Sequence, residues 1–196
     1  RLQQIESIER MLKAMKLDPK TPLDIWIGGS LPGFSGLGAS AASSVAIARA
    51  INEELNLGLG NDQINAIAYE GEKAYAGNPS GIDNTAATYG GLMWFKKNPA
   101  GGQDLVERVR IKRPVEVVIG STGKTANTKA MVEGVADRRK ANPAKYDPLF
   151  KQAESLAFAG RKALEVGDLK KVGDLMNENH RILQEIGVSS KELDQL

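Results

Sequence analysis

Pro32-Gly33-Phe34-Ser35-Gly36-Leu37-Gly38-Ala39-Ser40-Ala41 is a glycine-dense turn that runs directly into an alanine-rich segment. Glycine lets the backbone adopt positive φ and come close to a ligand. Upstream, Leu23-Asp24-Ile25-Trp26-Ile27 alternates apolar and polar residues in the manner of a half-buried strand. Downstream, Ala41, Ala42, Val45, Ala46, Ile47, Ala48, Ile51 and Leu55 recur at helical spacing. The turn is therefore expected at a helix N-terminus, where unpaired N–H groups and the positive end of the helix dipole favour an anion. A tight strand-to-helix connection is the plainer reading of an isolated Gly-x-Gly. Four small residues after the second glycine, with a serine in the first turn, favour phosphate binding over it.

The composition narrows the choice of function. With 196 residues, 41% of them hydrophobic, the chain can bury one good core or two small ones. A net charge of +2 is too weak a bias to imply nucleic acid, and Arg138-Arg139-Lys140 and Lys170-Lys171 read as solvated helix faces. The absence of cysteine excludes disulfides, thiolate zinc sites and thiol catalysis, and fits a reducing, cytoplasmic setting. One histidine, His180, removes multi-histidine metal sites. Its polar surroundings, Asn177-Glu178-Asn179-His180-Arg181, point to a hydrogen-bonded surface role. No run of about 18 apolar residues suggests a membrane span. The oligomeric state is not set by the sequence, which allows a homodimer.

The chain opens on Leu2, Ile5, Ile8, Met11, Leu12 and Met15, a helix already under way, so it is expected to be an internal fragment of a longer protein. Further helices are expected from 40 to about 57, at 62–75, 127–140, 147–166 and 168–186. Strands are expected at 23–27, 88–95, 105–111 and 115–119. Those at 88–95 and 105–111 should pair through the turn-rich 98–102. Gly77-Asn78-Pro79-Ser80-Gly81-Ile82-Asp83-Asn84 reads as an ordered loop. The class is α+β, with a boundary at Pro114 separating 1–113 from a helical 114–196.

Gly36-Leu37-Gly38-Ala39-Ser40-Ala41 satisfies G-x-G-x-x-A, yet the acidic residue that a dinucleotide site wants about 20 residues on falls in helix and glycine loop. Gly33 to Ser40 resembles a P-loop without its lysine. Gly120-Ser121-Thr122-Gly123-Lys124-Thr125 has Gly-Lys-Thr but spaces its glycines too closely, and stands as the runner-up. Glu72 and Asp83 add an acid–base side. Phosphoryl transfer uses a divalent ion to neutralise phosphates and a carboxylate to orient the attacking hydroxyl. Each residue alone reads more simply, Glu72 as a solvated helix residue and Asp83 as a turn-stabilising Asx.

Taken together, Pro-x-x-x-Gly-Leu-Gly-x-Ser-Ala at 32–41, Glu72 and the loop 77–84 resemble the second signature and catalytic loop of the GHMP kinase superfamily, and within it the mevalonate kinase family. The likeness continues through Thr125-Ala126-Asn127-Thr128-Lys129-Ala130 and Leu175-Met176-Asn177-Glu178-Asn179-His180, with Leu183 and Gly187-Val188. It implies ATP-dependent phosphorylation of the primary alcohol of mevalonate, with ATP and Mg²⁺ as cofactors and no nucleic-acid or membrane partner. The resemblance places the nucleotide on Pro32, Gly33, Ser35, Gly36, Leu37, Gly38, Ala39, Ser40 and Ala41, and Mg²⁺ on Ser40 and Glu72. It makes Asp83 the catalytic acid–base, with Ser80, Gly81, Asp83 and Thr128 on the substrate side. It further implies a two-lobed fold, the N-terminal lobe carrying a left-handed β-α-β unit and the C-terminal lobe ferredoxin-like.

Ala39 stands where the family commonly has serine, which spares the metal ligand and removes one phosphate hydrogen bond. The family's first signature would precede Arg1 and its third would follow Leu196. Phosphomevalonate kinase, galactokinase, homoserine kinase and mevalonate-diphosphate decarboxylase share the glycine loop, and a non-catalytic nucleotide or metabolite sensor would keep it too. Retention of both Glu72 and Asp83 favours the enzyme.

Overall fold

The computed structural model describes residues 2–30, 36–98, 100–124 and 128–196, without the side chains of 128 and 129. The chain divides into two compact units, Arg1–Glu107 and Arg108–Leu196.

The first unit is built on four helices, α1 (Leu2–Ala14), α2 (Ala39–Glu54), α3 (Asn61–Ala76) and α4 (Ile82–Tyr89), with strands β1 (Met93–Lys96) and β2 (Leu105–Arg108) paired with each other. Met11 and Leu12 of α1 meet Val45, Ala48 and Ile51 of α2 and Ile64 and Ile67 of α3 in one apolar core. Helices α1 and α3 approach closely at Gly71. A Cβ there would lie 2.9 Å from Ser7 Oγ and 3.0 Å from Met11 Sδ, so the absent side chain is what permits the contact. Arg49 ties α2 to its neighbours, donating to the Thr88 carbonyl at 2.8 Å and to Asn61 Oδ1 at 3.1 Å.

Three sequence expectations need correction. Residues 23–27 and 115–119 form no ladder among the described residues. A strand persists only where a neighbour takes its N–H and C=O groups, and no described residues supply one. The alternation in the first segment nevertheless orients it: Leu23 and Ile25 pack on the core while Trp26 is 95% exposed. Val118 in the second segment is 92% exposed. The expected strand 88–95 is mostly not a strand, because Thr88 and Tyr89 finish α4, Gly90 and Gly91 turn the chain at φ 63° and 78°, and only Met93–Lys96 is extended. The pairing with the segment after residue 104 is as expected, over the shorter Leu105–Arg108. With β1 and β2 the only ladder among the described residues, no β-α-β crossover is seen in them.

In the second unit, α5 (Thr128–Ala141), α6 (Pro143–Val166) and α7 (Leu169–Glu185) follow one another, and Tyr146, Leu149, Ile182 and Ile186 form the core between α6 and α7. Asn142 caps α6 by accepting from the Lys145 N–H, with Pro143 at the first helical position, which explains why the helix starts before residue 147. Asp168 caps α7 by accepting from Lys171 N–H. No helix among the described residues is long and apolar enough to cross a membrane.

Candidate active site

Helix α2 begins where the glycine loop ends. Gly36 and Gly38 have φ of 74° and 71°, the left-handed conformation for which glycine is suited, and Gly38 is the N-cap of α2. Ala42 N–H donates to the Gly38 carbonyl at 2.9 Å, and among the described residues the Ser40 and Ala41 amides ahead of it make no bond of this helical type. Leu37 is exposed, Ala39 and Ser40 are half-buried at the helix start, and Ala41 is fully buried beneath them. Pro32, Gly33 and Ser35 lie outside the described residues.

Ser40 Oγ donates to Glu72 Oε2 at 3.1 Å, and Ser44 Oγ, one turn further along α2, donates to Glu72 Oε1 at 3.2 Å. The i, i+4 spacing puts both hydroxyls on the face of α2 that meets α3. Glu72 is 5% exposed, and among the described residues it has no cationic partner. Burial pushes its carboxyl above the usual carboxylate range, the two serine hydrogen bonds pull it back, and the charge of Asp83 raises it further. A buried acid facing a second acid, held by neutral donors alone, is an environment that a cation would relieve.

Asp83 is not in a loop. It stands in the first turn of α4, whose N-cap Gly81 has φ 89°. This helix begins inside the glycine-and-proline-rich stretch because Gly81 supplies the reversal, after which Thr85 Oγ donates to the Gly81 carbonyl at 2.6 Å. The buried Asn84 donates to Asn65 Oδ1 at 2.7 Å, fastening the turn to α3. Asp83 itself is exposed, and a Cβ built on Gly38 would lie 3.9 Å from Asp83 Cβ. Thus Gly38 at the end of the glycine loop, Ser40, Glu72 and Asp83 come together in one place, with Ser80 exposed and Gly81 buried just before Asp83. Thr128 opens α5, and its side chain lies outside the described residues.

Sequence reasoning missed Ser44, Asn65, Asn84 and Thr85. The signal for Ser44 was its place four residues after Ser40. The asparagines gave none, since their partners are decided by how α3 meets α4.

The rival loop fares differently. Gly120 to Lys124 follows no strand, and Lys124 Nζ is paired with Glu192. His180 has the surface role expected of it, with Nε2 2.9 Å from Asp194 Oδ1.

No cluster of three or more His, Cys, Asp or Glu side chains among the described residues could hold a metal ion unaided. The Ser40 and Glu72 oxygens are nonetheless of the right kind for Mg²⁺, which favours oxygen ligands and completes its octahedron with phosphate oxygens and water.

Residues 5–91 match the family described as GHMP kinases N terminal domain. The mevalonate kinase of Pyrococcus horikoshii is 31% identical over 184 residues, covering 91% of this chain and 53% of the relative. That of Arabidopsis thaliana is 30% identical over 196 residues, covering 88% and 49%. The crystal structure of L. major mevalonate kinase in complex with R-mevalonate superposes with a TM-score of 0.79 at 32% identity, covering 98% of this chain and 59% of that one. The chain thus spans about half the length of the curated relatives it matches. With the buried acid and the fold in agreement, residues 5–91 are a GHMP kinase N-terminal domain, and the relatives that the chain resembles over most of its length are mevalonate kinases.

Proposed function

We propose that the protein to which this chain belongs transfers the γ-phosphoryl group of ATP to the primary hydroxyl of mevalonate, giving 5-phosphomevalonate and ADP. The observation that carries the reading is the meeting of Gly38 and Ser40, at the start of α2, with Glu72 and Asp83, two acids from separate helices, one buried and one exposed. The loop from Pro32 to Ala41 would receive the nucleotide phosphates at the start of α2. Ser40 and Glu72 would hold Mg²⁺, which supplies charge neutralisation on those phosphates.

Asp83 would accept a hydrogen bond from the attacking hydroxyl and hold it in line with the phosphorus. As the new O–P bond forms and the bond to the leaving ADP oxygen breaks, the hydroxyl proton passes to the Asp83 carboxylate. A carboxylate is a far weaker base than an alkoxide, so this transfer runs late and alignment contributes most. Ser80 and Gly81, immediately ahead of Asp83, are assigned to the substrate side, and Thr128 with them on its motif alone. Residues 1–113 would be part of the ATP-binding lobe and 114–196 part of the second lobe of a two-lobed enzyme, a boundary a few residues beyond the division between the two compact units.

The test is ADP release by the complete protein against a panel of acceptors. Turnover with mevalonate, and none with phosphomevalonate, galactose or homoserine, is the expected result. Preference for another acceptor would move the protein to a different branch of the superfamily, and tight ATP binding without turnover on any alcohol would make it a sensor.

A further inference from the structure

We infer that Tyr69 and Lys97 form a clamp that fixes the loop ahead of Asp83 and thereby aims its carboxylate, an inference that rests on the role of Asp83 proposed above. Tyr69 lies on α3 three residues before Glu72, and its hydroxyl donates to the Pro79 carbonyl at 3.2 Å. Lys97 follows directly after β1, and its ammonium donates to the same carbonyl at 3.2 Å and to the Ser80 carbonyl at 2.9 Å. The Lys97 nitrogen also stands 5.4 Å from the centre of the Tyr69 ring. Two donors from different elements therefore use both lone pairs of one carbonyl, and one of them holds the next carbonyl as well.

The peptide that follows has little freedom. Gly81 sits at φ 89°, and a Cβ there would lie 3.7 Å from Tyr69 Cε2 and 3.8 Å from Phe95 Cζ, so the backbone rests against the same ring that the ammonium covers. Beyond it, Asn84 binds Asn65 and Thr85 binds back to Gly81. Asp83, exposed like Ile82 before it, lies between these two attachments, one buried on α3 and one made by Tyr69 and Lys97. Without the second, the entry to α4 would be tethered at one end only. Lys97 has its donors on loop carbonyls and its charge over an aromatic face, which sets it apart from a lysine waiting for phosphate. Tyr69 and Lys97 are thus positioning residues that act through the loop.

The experiment uses the complete protein with ATP and mevalonate, together with amide hydrogen exchange over residues 79–84. Lys97→Met keeps the stem and removes the ammonium, and Tyr69→Phe keeps the ring and removes the hydroxyl. Each should lower kcat about tenfold, since misplacement by an ångström can cost about 10²-fold, and leave the KM for ATP within about twofold. Exchange over 79–84 should quicken in both, and Lys97→Arg, which keeps a cationic N–H donor and the ring contact, should restore most of the rate. An unchanged kcat in both variants overturns the inference even if the loop loosens. A raised KM for ATP with kcat preserved also overturns it, by making Lys97 a phosphate ligand. If the parent protein turns over no mevalonate, the proposed function fails separately, and exchange alone then decides the clamp: faster exchange upholds it and unaltered exchange overturns it.

Discussion

Replacing Asp83 with asparagine in the complete protein is expected to lower kcat about 10²- to 10⁴-fold, the usual worth of a positioned acid–base group, while ATP affinity stays within about twofold. Asparagine preserves the shape of the side chain and can still orient a hydroxyl, but its amide cannot take the proton. The change should be confined to chemistry because Asp83 is exposed in the first turn of α4 and the turn is held by its neighbours, Asn84 and Thr85. Steady-state rates and nucleotide binding, measured side by side, separate the two effects. Near-normal turnover would remove Asp83 from the reaction, and loss of ATP affinity equal to the loss of rate would make it a binding residue.

The second large effect concerns the scaffold beneath the site. Met11 has no exposed surface and touches the α3 backbone where Gly71 lets the helices close. Met11→Ala should lower stability by about 2–5 kcal/mol, the range for emptying a well-packed core position. Denaturant unfolding of the complete protein checks it. A loss below about 1 kcal/mol would mean that α1 does not hold α3, and hence Glu72, in the way its burial implies.

Much of the site was legible because it is local. The glycine loop, the small residues after it and the serine of the first turn lie within ten positions, and helix-terminus physics favours an anion beside such a segment. Glu72 and Asp83 were legible as a pair that phosphoryl-transfer chemistry would use, but each alone read more simply, and the family resemblance carried by the motifs is what favoured the pair. The character of residues 77–84 was only half legible. Pro79 and two glycines argue for a loop, and they do break α3, yet Gly81 also starts α4, whose eight residues are too few to leave a clear periodic trace.

The strands at 23–27 and 115–119 show the opposite failure. Their apolar alternation is plain in the sequence, but a ladder requires a neighbour, which periodicity does not report. The clamp formed by Tyr69 and Lys97 left no mark either, because a tyrosine on a helix and a lysine after a strand find the same carbonyl only once α3 and β1 have docked.

The central claim is that Ser40 and Glu72 hold the metal of a bound nucleotide while Asp83, beside them, serves the acceptor. Mn²⁺ binding to the complete protein with a non-hydrolysable ATP analogue, followed by electron paramagnetic resonance, tests that division of labour without turnover. Glu72→Gln is expected to weaken Mn²⁺ binding about tenfold or more, because a neutral amide replaces a charged oxygen ligand, whereas Asp83→Asn should change it by less than about twofold. Equal Mn²⁺ affinity in the parent and in Glu72→Gln, or a greater loss in Asp83→Asn than in Glu72→Gln, would contradict the account.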